Sequence, residues 1–187
     1  MNTTIILVPG YTNSAPNHWQ SIIERSYTNT VRVQQKDWLV PERQAWADAL
    51  NDTIKQVSGN VLLVGHSCGS VAITQWASLY SSKNVIGALL VAPADVDSPT
   101  AIPEIHVQRP LSMQPIPFPS IVVCSDNDPH LSIPRAKEFA KHWQSDVVTL
   151  HKAGHINTDA GFGYWLQGEK LIERLLGYKW TEERIAE

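Results

Sequence analysis

Six short runs rich in Val, Ile and Leu, mostly without polar alternation, do most to restrict what this chain can fold into. They span residues 4–8, 31–35, 61–64, 85–91, 120–124 and 147–151. A strand with one wet face alternates apolar and polar residues, whereas an unbroken apolar run suits a strand covered on both faces, as in a parallel sheet between helices. Helical periodicity fills the gaps. Residues 41–57 put Trp46, Ala49, Leu50, Thr53 and Val57 on one stripe, and residues 71–80 read as a small-residue, well-buried helix. Pro134 stands where a helix would begin, ahead of Ala136, Phe139, Ala140 and Trp143, and a last helix covers 164–176. Strands alternating with helices imply an α/β fold with a mainly parallel sheet of about six strands.

Composition limits the partners. With 43% hydrophobic and 18% charged residues over 187 positions the chain is globular, and one domain, 1–187, is expected, without an internal repeat or dividing linker. Fifteen Lys and Arg against 18 Asp and Glu, with no basic run, remove the electrostatic basis for nucleic-acid or anionic-membrane binding. The apolar run near the start lacks a basic flank and is too short for a signal segment or membrane span, so the expected compartment is the cytoplasm. Cys68 and Cys124, 56 positions apart, offer neither a disulfide framework nor a metal knuckle. Only residues 93–119, with seven of the 12 prolines, break the rhythm. They read as an ordered surface excursion: either a stiffened connection or one wall of a substrate cleft, and too short for a large lid domain.

Gly65-His66-Ser67-Cys68-Gly69 carries the chemistry, because this G-x-S-x-G directly follows one apolar run and directly precedes the small-residue helix. A serine on such a sharp turn holds its hydroxyl clear of the sheet at a helix N-terminus, while the glycines let neighbouring chain approach. The alternative is a glycine-rich turn with an incidental serine. A serine nucleophile needs a base, and an acid followed by a histidine is expected downstream. Asp128 and His155 fit, each just beyond an apolar run, at gaps of 61 and 27 residues. Asp126 stays open as the acid, and Asp95 and Asp97 are further candidates. His151 falls at its strand end, His66 is the x of the turn, and His106, His130 and His142 lack a glycine-hinged loop. The spacing of His151 and His155 gives no helical two-histidine face, so no metal site is expected.

Two backbone donors for an oxyanion follow from the same logic. One is the N–H of Cys68; the other is that of Tyr11, in the loop Val8-Pro9-Gly10-Tyr11-Thr12-Asn13, where Pro9 has no donor. Gly10 is either the hinge of that loop or an ordinary strand-ending turn. Cys68 opens the helix beside the serine, where a thiol pKa can be lowered and the group become open to oxidation; the alternative is a small buried filler.

These residues resemble the retinoblastoma-binding protein 9-like serine hydrolases. The resemblance covers nearly the whole chain, through Pro9-Gly10-Tyr11 with His18-Trp19, the Gly65–Gly69 motif, Val91-Ala92-Pro93-Ala94-Asp95, Phe118-Pro119-Ser120 leading into Ser125-Asp126-Asn127-Asp128-Pro129, and Ala153-Gly154-His155-Ile156-Asn157. It implies a compact α/β-hydrolase without a lid, with Ser67, Asp128 and His155 as the triad, and puts His18 and Trp19 near the oxyanion loop. The loop departs from many hydrolases in carrying Pro9 where they have histidine. The substrate-pocket candidates are therefore Gly10, Thr12, His18, Trp19 and His66. The expected activity is cleavage of small carboxylic esters or amides without a cofactor. A rival keeps the fold but makes the chain an interaction module with a relic triad, its partner unidentified, for which the Pro-rich segment and seven tryptophans leave room.

Overall fold

All six apolar runs enter one sheet in the computed structural model, which describes residues 3–81, 83–181 and 183–185. The strands are β1 (Thr3–Val8), β2 (Thr30–Arg32), β3 (Asn60–His66), β4 (Val85–Val91), β5 (Ser120–Ser125) and β6 (Asp146–Leu150). Every pairing is parallel, in the order β2-β1-β3-β4-β5-β6. The helices are α1 (Trp19–Ser26), α2 (Arg43–Gln56), α3 (Cys68–Leu79), α4 (Ile133–Trp143) and α5 (Leu166–Leu176).

The unbroken runs are explained by two cores that divide β1, β3, β4 and β5 residue by residue. Ile6, Val8, Leu63, Leu90 and Val122 face α2, α3 and α4, with Trp46, Trp76 and Trp143. Ile5, Leu7, Leu62, Val64, Leu89 and Val123 face α1 and α5, with Trp19, Trp165 and Trp180. Burying one such side chain contributes about 1.5–3 kcal/mol, so a polar residue on either face of β1, β3, β4 or β5 would be costly.

Three expectations need correction. The run at 147–151 is not buried on both faces: β6 is an edge strand whose residues are exposed or half-buried, and β2 at the other edge is only three residues long. Helix α1 was not expected, because it has eight residues and is capped by His18, outside the usual Ser, Thr, Asp and Asn signals. The Pro-rich segment is no surface excursion alone, since Gln108, Leu111 and Ile116 are buried and its 3-10 turn Pro103–Gln108 packs on α3.

Strand β1 pairs with β2 on one side and β3 on the other, so the order reverses there and a crevice opens at their carboxyl ends, where open α/β sheets bind ligands. Buried Gln20 bridges that crevice, its amide donating to Val8 O (3.3 Å) and Val64 O (3.1 Å) while Oε1 accepts from the Ser14 hydroxyl (2.7 Å). Among the described residues no helix is long and apolar enough to cross a membrane.

Candidate active site

Ser67 joins β3 to α3 in a left-handed backbone conformation, φ 53° and ψ −123°. Such a conformation is costly for a residue with a side chain and persists only where its surroundings enforce it. Here Ser67 N–H donates to Val91 O at 3.0 Å, and Ser67 O accepts from the Ser70 and Val71 N–H groups. Although Ser67 stands at the N-cap, its hydroxyl makes no cap hydrogen bond and stays available for chemistry. The flanking glycines are steric necessities: a Cβ on Gly69 would lie 1.9 Å from Val8 O, and one on Gly65 would lie 2.8 Å from Ser70 Cα. A Cβ on Gly10 would press within 2.9 Å of both His66 O and Ser67 Cβ, so the loop after β1 is held directly against the serine.

The acid and histidine candidates sort into separate pairs. His155 Nδ1–H reaches both oxygens of Asp128, at 3.0 and 2.9 Å, and the Asp128 side chain is wholly buried. Asp126 instead binds His151 Nδ1 at 2.6 Å and accepts the Lys152 N–H, both side chains being exposed. Those two contacts, the N–H first, hold the Asp126 carboxyl below its usual range. Asp95 is committed to Arg135, and Asp97 accepts the Leu111 N–H.

Nearby polar residues fix the histidine loop. Gly154 N–H donates to Asn127 Oδ1, Ala153 N–H to Ser125 Oγ, and Trp19 Nε1–H to Ile156 O at 3.0 Å. His66 Nε2–H donates to the carbonyl of His155 itself at 2.9 Å.

Ser67 and His155 line one cavity of about 390 Å³, together with Tyr11, Thr12, His18 and His66. Gly10 and Trp19 are not in its wall: Gly10 lies behind Ser67, and Trp19 is buried in the second core, where it supports the histidine loop. Ile102 and Ile105, from the Pro-rich segment, do form part of the wall. His130 does too, its ring centroid 4.7 Å from that of His155, although its sequence context gave no reason to prefer it. Asn157, Thr158 and Asp159 complete the rim, and only their position after the histidine loop could have marked them. Among the described residues no cluster of three or more His, Cys, Asp or Glu is placed to hold a metal ion.

Cys68 does not have the lowered pKa its helix-start position allowed. Burial pushes the thiol up to about 12, outweighing the opposing influence of the neighbouring Tyr11 backbone and Ser67 side chain. Burial, more than Arg32 and His155, lowers His18 to about 4, and burial with His155 and His18 takes His66 well below its usual value. His130 is lowered by burial and then by His155.

A serine on a strained strand-to-helix turn, beside a buried carboxylate-histidine pair, on a six-stranded parallel sheet: this is the architecture of the α/β-hydrolases. The chain belongs to the serine hydrolase family, whose model matches residues 5–174. It is similar to a YdeN-like hydrolase from Pectobacterium atrosepticum, itself described as putative, with 32% identity and a TM-score of 0.83 over 93% of this chain and 90% of that one. The ydeN gene product of B. subtilis shares the fold at 18% identity and TM-score 0.72, covering 95% and 100% of the two chains. So does Est1E from Butyrivibrio proteoclasticus, in a structure titled as bound to ferulic acid, at 13% identity and TM-score 0.68 over 94% and 90%. No curated protein sequence matches the chain.

Proposed function

We propose that this protein hydrolyses small carboxylic esters, and amides more slowly, through a Ser67-His155-Asp128 triad. The observation that carries the reading is that His155, held by the buried Asp128 carboxylate, lines the same cavity as Ser67, whose hydroxyl is unused by its own helix. Asp128 holds the His155 proton on Nδ1, which leaves Nε2 with the lone pair a base requires. Ser67 Oγ then attacks the acyl carbon as its proton moves to Nε2. Negative charge collects on the former carbonyl oxygen, and the N–H groups of Cys68 and Tyr11 stabilise it; loss of one such donor typically costs about 10²- to 10³-fold in rate. The imidazolium protonates the departing alcohol, and water, activated by the same histidine, releases the acid and restores the serine.

Support for the Tyr11 donor comes from the Gly10 loop, which is held directly against Ser67, and from Tyr11 and Cys68 lining the same cavity as the serine. Among the described residues no lid domain covers the cleft, whose volume of about 390 Å³ suits a small substrate, and no cofactor enters any step. Within the serine hydrolase family, the motifs in the Gly10, Ser67, Asp128 and His155 loops favour a retinoblastoma-binding protein 9-like member, with chain 1–187 acting as one catalytic domain and the cytoplasm as its proposed compartment. The test is turnover of p-nitrophenyl acetate and butyrate. Wild-type protein should turn over both, and Ser67→Ala should lose at least about 10³-fold in kcat; full turnover by Ser67→Ala would refute the assignment.

A further inference from the structure

Two histidines in the cavity wall have their ring protons fixed by hydrogen bonds on their far sides. His18 caps α1: its Nδ1 accepts the Gln20 backbone N–H at 3.2 Å. A nitrogen that accepts carries no proton, so neutral His18 bears its single N–H at Nε2. That Nε2 is buried without a hydrogen-bond partner, in a residue only 5% exposed that nevertheless lines the cavity. A buried polar group left unpaired is uncommon in native proteins and calls for a partner.

His66 is fixed in the complementary sense. Because its Nε2 faces the carbonyl oxygen of His155, Nε2 must donate, and Nδ1 is left as an acceptor. The two ring centroids lie 4.8 Å apart at 58°. One donor and one acceptor thus belong to neighbouring rings in the cavity wall, and the acceptor ring, His66, is next in sequence to Ser67.

We propose that His18 and His66 form a polar subsite that binds a hydroxyl group on the acyl part of the substrate. The hydroxyl oxygen accepts from His18 Nε2–H and its proton is donated to His66 Nδ1. A hydroxyl suits this pair because it accepts and donates through one atom, whereas a carboxylate can only accept and an alkyl group leaves both nitrogens unpaired. A cationic pair would favour a carboxylate, but burial keeps both rings neutral at pH 7. His66 adjoins Ser67, and its ring centroid is 5.0 Å from that of His155, so the recognised hydroxyl lies within a few bonds of the scissile carbonyl. A 3-hydroxyacyl ester fits this description. The proposal rests on Ser67 being the nucleophile.

Two measurements test it. The first compares kcat/KM for p-nitrophenyl 3-hydroxybutyrate and butyrate in wild type and in His18→Asn, which retains a cap acceptor but loses Nε2. Wild type should prefer the hydroxylated ester by at least about tenfold, and His18→Asn should reduce that ratio to about one. The second records ring ¹⁵N resonances of Ser67→Ala protein titrated with 3-hydroxybutyrate or butyrate. His18 should carry its proton on Nε2 and respond to the hydroxylated acid alone. A wild-type ratio near one, a ratio unchanged in His18→Asn, or a proton on His18 Nδ1 would overturn the subsite and leave the two nitrogens to water. Absence of turnover on both esters, with the hydroxyl-specific shift intact, would defeat the hydrolase reading while supporting the subsite.

Discussion

Two Asp-His pairs lie side by side at one edge of the sheet, built from the same two loops. Asp126 and His151 approach to 2.6 Å, closer than Asp128 and His155 at 2.9 Å. Yet their side chains are 38% and 76% exposed, against 0% and 11% for the inner pair. Distance alone would favour the outer pair. Water solvates and screens the outer charges, so the outer contact contributes little beyond tethering Lys152. Inside, the carboxylate is shielded from solvent and accepts from one ring and from the His130 backbone N–H, and that ring is flanked by His66 and His130 in the wall of the cavity that holds Ser67. Burial therefore distinguishes a structural contact from one able to organise proton transfer.

The sharpest way to break this contrast is to neutralise each acid in turn. Asp128→Asn should lower kcat by about 10³- to 10⁴-fold, because the amide no longer enforces the His155 tautomer; steady-state ester kinetics on folded protein will show it. Gly10→Ala should cost about 10²-fold or more, since its Cβ would meet Ser67 Cβ and His66 O at 2.9 Å and displace the loop that carries the Tyr11 donor.

The histidines of the cavity wall that flank His155 couple the fold to pH. His18 is lowered from 6.5 to about 4 by burial first, then by Arg32 and His155. The unfolded chain thus binds the extra proton below pH 6.5 while the folded one refuses it until about pH 4. Stability is full above pH 6.5 and falls as pH drops toward 4, by at most about 3 kcal/mol from this group. His66 and His130 act in the same direction. Urea midpoints should fall between pH 7 and 4.5, and fall less in His18→Asn. The smallest effect is expected of Asp126→Asn, whose kcat should stay within about twofold of wild type.

The central sheet was legible because β1, β3, β4 and β5 are buried on both faces, and that burial writes unbroken apolar runs such as Val61-Leu62-Leu63-Val64. At the edges the same pattern misleads. In β6, Val147 and Val148 suggest burial, yet Val147 is 39% exposed, because β propensity and burial favour the same residues. Helix α1 escaped notice because eight residues leave little periodicity to detect, and an imidazole cap is an unusual start. Ser67 and His155 stood out through glycines that the chain needs for close approach or a tight turn. Sequence favoured Asp128 but left Asp126 open, since the two carboxylates differ in burial and not in chemistry. His130 was hidden for a related reason: its relevance comes from a ring contact with a residue 25 positions away.

The most direct test of the account is intact-mass analysis after exposure to a fluorophosphonate. Wild type and Asp126→Asn should each gain a single adduct, Asp128→Asn and His155→Ala should gain it far more slowly, and Ser67→Ala should gain none. An adduct that persists on Ser67→Ala, or equal slowing by the two aspartate variants, would contradict the claim that the buried pair activates Ser67.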